Sequence, residues 1–166
     1  MKDLNQLDIG LISDNKAISA CALMMATSDP WITLGMKYDY CLNAFEGPCK
    51  EVYMAEYNHE LAGFIIIQVC GTFKGYIQTV CVSKDCRGRG FGKQLLSFAE
   101  QRILTISPNV FICVSSFNMG AIKLYHELGF KLVGELEHFI KEGFTELFFR
   151  KSVGPVMGYK AKKGDL

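Results

Sequence analysis

The chain has 166 residues, 49% hydrophobic and 21% charged, with a formal net charge of +1, which is typical of an ordinary globular protein. The near-zero charge argues against a nucleic-acid partner, because dedicated nucleic-acid binders usually carry a strongly basic face. The longest apolar run, residues 61–69, is far shorter than the roughly 20 residues of a membrane span, which argues against a membrane partner. We predict one domain over residues 1–152 and a C-terminal tail over residues 153–166.

Cysteine usage and the amino-terminal segment bear on the compartment. Of the seven cysteines, no two form a CxxC pair, so the spacing predicts no metal site and no disulfide framework. The opening segment MKDLNQLDIG lacks the apolar stretch of a secretory signal. Because free thiols persist in reducing compartments, we expect a cytoplasmic protein.

The first half of the chain predicts a helix, a loop and three strands. The helix begins after residues 13–15 and ends before residues 29–30, because the residue before a proline avoids helical geometry. Residues 31–48 predict an aromatic-rich loop with a short helix. The runs EVYMAEY, LAGFIIIQVC and KGYIQTVCVS are typical of strands, and the breaks between them suit hairpins.

The second half predicts two further helices and three strands. Residues 92–104 carry an apolar stripe at helical spacing. The run VFICVSS predicts a buried strand, after which Asn118 caps a helix that ends near Gly129. KLVGELEHFI and FTELFFRK predict a closing pair of strands. The order predicts an α/β (α+β) fold with a mixed, mostly antiparallel central sheet flanked by helices.

The segment RGRGFG, residues 87–92, joins a predicted strand to a predicted helix. Glycines let backbone approach an anion closely, and a helix N-terminus offers unpaired N–H groups with partial positive charge. The segment therefore predicts a pyrophosphate cradle, although a tight turn with solvated basic residues fits the same letters. Neither the dinucleotide fingerprint nor the Walker A loop matches, because Lys93 and Gln94 occupy positions that those motifs reserve for other residues.

Two motifs together resemble the GNAT superfamily of N-acetyltransferases. The spacing of Val82, the glycine segment and Leu95 is similar to the family's acetyl-CoA-binding motif, whose core is Q/R-x-x-G-x-G/A. Many members have a proline where this chain has Lys84. Further along, residues 118–130 (NMGAIKLYHELGF) resemble the family's N-x-x-A-x-x-L-Y-x-x-x-G-F helix. The motifs and their strands cover roughly residues 76–130.

The resemblance implies an N-acetyltransferase that moves an acetyl group from acetyl-CoA to a primary amine by direct attack in a ternary complex. It implies a GNAT-like sheet splayed at strands 4 and 5, where the pantetheine arm enters. Tyr125 matches the tyrosine that protonates the leaving thiolate, although a core aromatic has the same spacing. Asn118 matches a contact to the CoA arm as well as a helix cap. The remaining implied cofactor-binding residues are Val80, Cys81, Val82, Arg87, Gly88, Arg89, Gly90, Phe91, Gly92 and Lys93.

The general base stays open, because Gln78 lies where many members carry a glutamate and glutamine cannot accept the proton. Glu46, Glu51 and Glu56 are the other upstream carboxylates, and a water relay is a further route. A nucleophilic Cys81 is disfavoured, because no histidine lies at a suitable spacing.

The identity of the acceptor amine is also undetermined by the sequence. An amine-bearing small molecule and a peptide N-terminus both fit, and the resemblance allows a homodimer. The same letters also fit a catalytically silent acyl-CoA-binding regulatory module on the same fold, which the missing carboxylate favours. A generic nucleotide-phosphate binder is the third interpretation.

Overall fold

The computed structural model describes residues 6–161, and their strands form a seven-stranded sheet in the order β1-β2-β3-β4-β5-β7-β6. The β1–β2, β5–β7 and β6–β7 pairs are antiparallel and the β4–β5 pair is parallel, which confirms the predicted mixed, mostly antiparallel fold. The elements, in chain order, are β1 (Asp8–Leu11), α1 (Asn15–Ala26), α2 (Trp31–Leu34), α3 (Tyr38–Asn43), β2 (Lys50–Tyr57), β3 (Glu60–Gln68), β4 (Tyr76–Val82), a 3-10 turn (Lys84–Cys86), α4 (Phe91–Leu104), β5 (Asn109–Ser115), α5 (Met119–Glu127), β6 (Lys131–Glu137) and β7 (Thr145–Ser152).

The chain divides into two compact units, and β4 and α4 run through both of them. The first unit comprises the chain up to Ile67 together with Thr79–Phe98. In its core, buried residues of α1 and α3 cluster with residues of β3 such as Phe64. The β2–β3 connection is a two-residue turn in which Asn58 and His59 both have positive φ, 52° and 65°. Two such residues are the signature of a type I′ turn, at a break in the sequence that predicted a hairpin without specifying its turn type.

The second unit comprises Gln68–Gln78 and Ala99 onward. Here β5 pairs along its whole length with β7, which in turn pairs with β6. The β4–β5 pairing consists of Tyr76 with Phe111 and Ile77 with Ile112. The predicted splay of these two strands stays a prediction.

Two features of the fold differ from expectation. The short strand β1 pairs with β2 but was not predicted, because DIGL is too short to show a clear alternation. Cys49 and Cys70 are disulfide-bonded, whereas the other five cysteines are free thiols. The expectation of a chain without disulfides was therefore wrong, and the reducing compartment that rested on it loses that support.

The helices and the metal-ligating side chains of residues 6–161 bear on partners and metals. None of the helices there has both the length and the apolar character that crossing a membrane requires. Within the same range, no group of three or more His, Cys, Asp or Glu side chains is arranged to hold a metal ion. The predicted C-terminal tail lies within the described residues only as far as residue 161.

Candidate active site

The glycine segment forms a turn that opens α4, and it lies in the first unit. After β4, a 3-10 turn reverses the chain, and Gly88 and Gly90 then take left-handed conformations with φ of 75° and 79°. Residues with a Cβ rarely adopt this conformation, so the local backbone requires glycine. The first helical hydrogen bond of α4 runs from the Gln94 N–H to the Gly90 carbonyl at 3.1 Å. The N–H groups of residues 91–93 consequently have no acceptor within the helix.

Open space and basic side chains surround this turn. A methyl group added at Gly88 or Gly90 would meet no atom within 4 Å. The exposed Arg87 donates from Nε to the Val82 carbonyl at 3.3 Å. The Arg89 guanidinium lies 5.5 Å from the centre of the Tyr57 ring, a cation–π distance that orients the charge. The turn can therefore offer backbone N–H groups and positive charge to an anion.

Phe91 contributes its backbone rather than its side chain. The ring is 1% exposed and its centroid lies 5.0 Å from that of Tyr57, so it anchors the start of α4 in the core. A ligand in the cradle would therefore meet the backbone of Phe91 and not its ring. Lys84 and Lys93 are exposed and add positive charge to the same region.

The last residues of β4 alternate in burial. Cys81 is 3% exposed, whereas Val80 and Val82 are half-buried. Burial raises the pKa of Cys81 to about 11, although hydrogen bonding to Ser28 opposes the shift. The thiol is therefore protonated at neutral pH, which agrees with the sequence argument against a nucleophilic cysteine.

Gly63 on β3 is a residue that the sequence analysis missed. A Cβ at this position would lie 2.5 Å from the carbonyl oxygen of Cys81 and 3.3 Å from the Cα of Val82. Glycine here lets β3 approach the end of β4 closely. An isolated glycine within a strand run is a signal for such an approach, so LAGFIII contained the information.

The upstream carboxylates of the first unit occupy ordinary positions. Glu46 is exposed, and Glu56 is half-buried on β2. Glu51 accepts a hydrogen bond from the Tyr53 hydroxyl at 2.7 Å.

Asn118 and Tyr125 lie in the second unit. The Asn118 side chain accepts from the Ala121 N–H at 3.3 Å, which confirms the predicted helix cap. Tyr125 is 4% exposed, and its ring lies 5.9 Å from Phe130 and 6.0 Å from Phe149. Burial raises its pKa well above the usual range of a tyrosine, and negative charge on Cys113 and Glu146 acts in the same direction. Tyr125 is thus a core residue that keeps its proton at neutral pH.

Glu146 on β7 is the second residue that the sequence analysis missed. It is 5% exposed, and its Oε1 atom accepts a 2.6 Å hydrogen bond from the Ser115 hydroxyl. Burial raises the pKa of this carboxyl, while the hydrogen bond from Ser115 partly lowers it. In the same unit, Tyr76 hydrogen-bonds to Cys113, and burial raises the pKa of both groups.

Comparisons with known proteins give a consistent picture. The Acetyltransferase (GNAT) family matches residues 19–130, which is more than half of the chain. An N-alpha-acetyltransferase of Sulfurisphaera tokodaii is 28% identical over an alignment of 104 residues that covers 55% of this chain and 62% of that protein. The chain thus matches less than two thirds of that relative's length.

Solved structures share the fold at lower identity. The ribosomal-protein-S18-alanine N-acetyltransferase from Escherichia coli is 17% identical with a TM-score of 0.69, over 90% of this chain and 96% of that chain. A GNAT family acetyltransferase from Elizabethkingia anophelis with acetyl-CoA bound is 17% identical with a TM-score of 0.66, over 89% and 98% of the two chains.

Proposed function

The chain belongs to the GNAT acetyltransferase family, and we propose that it transfers an acetyl group from acetyl-CoA to a primary amine by direct attack in a ternary complex. The observation that carries this proposal is the turn at Gly88 and Gly90, which has open space around both glycines and precedes the α4 N–H groups that have no acceptor within the helix. A peptide N-terminus is the acceptor class that two of the named relatives support, since one is an N-alpha-acetyltransferase and the other a ribosomal-protein-S18-alanine N-acetyltransferase. A small amine is the other class.

In this proposal acetyl-CoA is held mainly by backbone. Its pyrophosphate accepts from the N–H groups of residues 91–93, and Arg87 and Arg89 supply compensating charge. Its pantetheine arm pairs like an added strand with Val80, Cys81 and Val82. Asn118 contributes to the arm while it caps α5. The acetyl-CoA complex of the Elizabethkingia relative supports this cosubstrate.

The chemistry requires a polarised carbonyl, a deprotonated amine and a protonated leaving group. A backbone N–H of residues 80–82 stabilises the negative charge that develops on the thioester oxygen. Tyr125 donates its hydrogen bond and then its proton to the thiolate as the C–S bond breaks. Because burial raises the pKa of Tyr125, a free phenolate would be unfavourable, so its proton must be restored as the nitrogen loses its own.

Thermal-shift and thiol-release assays test the proposal. We expect acetyl-CoA to raise Tm and ATP to have a much smaller effect. We expect thiol release with at least one amine from a panel of Ala-, Ser- and Met-initiated hexapeptides and spermidine. The same hexapeptides with a blocked N-terminus are the matched control and should release no thiol. Stabilisation by acetyl-CoA without turnover on any amine would instead support a silent acyl-CoA-binding module.

The predicted single domain, the cytoplasmic location and the homodimer stay predictions. Size-exclusion chromatography with light scattering at two protein concentrations tests the oligomeric state directly. A monomer at both concentrations would contradict the homodimer.

A further inference from the structure

One face of the sheet in the second unit brings a carboxylate, a thiol and a phenol together. Ser115 and Glu146 are directly opposite each other in the β5–β7 register and share a 2.6 Å hydrogen bond. Cys113 lies two residues before Ser115, and alternate residues of a strand point to the same face. Tyr76 on β4 hydrogen-bonds to Cys113 and therefore reaches the same face. The transfer proposed above assigns no role to Glu146.

The carboxylate of Glu146 is fixed through one oxygen and open through the other. Its Oε1 accepts from Ser115, which is the side-chain partner of Glu146. Among residues 6–161, no buried side-chain nitrogen or oxygen lacks a hydrogen-bond partner. The second carboxylate oxygen of Glu146 accepts no hydrogen bond from a side chain of the described residues. Because it is not one of the buried atoms without a partner, it must be in contact with solvent. A small polar group or a water molecule can reach it.

We propose that Glu146 accepts the proton that the acceptor amine loses before attack, directly or through one water molecule, and that Ser115 positions it for this step. This inference rests on the proposed acetyl transfer. In this inference Glu146 on β7 supplies the carboxylate that is missing at Gln78 on β4. The upstream glutamates are placed differently. Glu46 is exposed, Glu56 is half-buried, and Glu51 accepts a hydrogen bond from the Tyr53 hydroxyl.

The protons balance in this scheme. The ammonium form of the acceptor gives one proton to Glu146, and the free amine forms a C–N bond to the acetyl carbon. The C–S bond breaks, and the thiolate takes the proton of Tyr125. The second nitrogen proton returns to Tyr125 as the amide forms, and Glu146 releases its proton to solvent after the product leaves. No oxidant or further co-reactant is required.

The groups around Glu146 favour its action as a proton acceptor. Burial raises its pKa above the usual carboxyl range, which makes it a better proton acceptor than an exposed glutamate. The titratable groups that interact with it are Cys113 on β5, Tyr76 on β4 and Tyr125 on α5. Burial raises the pKa of all three, so they are neutral at neutral pH and leave the carboxylate as the basic group of the cluster.

A pH profile of the Glu146→Gln variant tests the inference. We expect kcat/KM for the best amine of the panel to fall by about 10²–10⁴-fold at neutral pH, with the acetyl-CoA Kd unchanged. The acidic limb that the titration of Glu146 sets in the wild-type profile should disappear. The remaining activity should follow the fraction of acceptor amine that is already deprotonated in solution, and so rise with pH. Glu135→Gln, an exposed carboxylate of β6, is the matched control and should keep the wild-type profile.

Ser115→Ala gives an independent readout. The hydrogen bond from Ser115 lowers the pKa of Glu146, so its loss should move the acidic limb to higher pH. A Glu146→Gln variant with wild-type kcat/KM would overturn the inference while leaving the proposed acetyl transfer intact. A wild-type protein that acetylates no amine of the panel would overturn both. If Glu146→Gln fails to fold, an unshifted limb in Ser115→Ala overturns the inference.

Discussion

Replacing Gly63 with alanine should strain the end of β4, where we place the acetyl-CoA arm. The new Cβ would lie 2.5 Å from the carbonyl oxygen of Cys81, 3.1 Å from Cδ1 of Leu95 and 3.3 Å from the Cα of Val82. Favourable contacts of heavy atoms lie near 3.5 Å, so the shortest contact is about 1 Å too close. A backbone carbonyl cannot rotate away as a side chain can, so β3 or β4 must shift.

The size of the effect follows from two opposing contributions. Forcing an extra methyl group into a packed core costs about 1–3 kcal/mol. Alanine is favoured over glycine in a strand by roughly 0.5–1 kcal/mol. The net destabilisation is therefore at most about 2.5 kcal/mol, which corresponds to a fall in Tm of up to about 10 °C for a chain of this size.

Calorimetry and acetyl-CoA titration measure both consequences. Gly10→Ala is the matched control in the same unit, because a methyl group there meets no atom within 4 Å. We expect Gly10→Ala to keep or slightly raise its Tm, because alanine is favoured over glycine in a strand, and to keep its affinity. We expect Gly63→Ala to lose both Tm and acetyl-CoA affinity. Equal Tm values and equal Kd values in the two variants would refute the reasoning about β4.

Four further predictions concern single side chains. Tyr125→Phe should lower kcat by about 10²-fold or more at neutral pH with an unchanged acetyl-CoA Kd; an equal loss of affinity would contradict the acid role. Gly90→Ala should weaken acetyl-CoA binding, because φ of 79° strains alanine by about 1–2 kcal/mol, and an unchanged Kd would count against the cradle. Asn118→Ala should destabilise by about 1 kcal/mol in urea unfolding through loss of the cap of α5; an unchanged midpoint would contradict that role. Glu146→Gln should raise Tm at neutral pH, because a pKa raised above the unfolded value makes the carboxyl lose its stability contribution as pH rises. The difference should vanish below the unfolded carboxyl pKa, near about 4.3, and a difference that persists there would contradict the linkage.

The cradle was predictable because its information is local. A strand, a run of alternating glycines and a helix follow one another within residues 76–104, and each turn conformation depends on the residue at that position. The cap at Asn118 and the hairpin at Asn58 are local in the same sense. For these features, the chemistry of single residues determines the backbone.

Other features required the strand register, which the sequence does not contain. Ser115 and Glu146 are 31 positions apart, and a shift of one residue in β7 would turn Glu146 to the opposite face. The disulfide-bonded state of Cys49 and Cys70 depends on tertiary structure in the same way. Gly63 is an intermediate case, since its sequence signal was visible but its close neighbour at Cys81 was not.

Product analysis by mass spectrometry tests the proposed acetyl transfer most directly. The purified protein, acetyl-CoA and the amine panel should yield at least one amine that carries a single added acetyl group, with an equal amount of released CoA. Tyr125→Phe should slow formation of the same product at neutral pH. Protein that is stabilised by acetyl-CoA yet leaves every amine of the panel unmodified would contradict the proposed transfer.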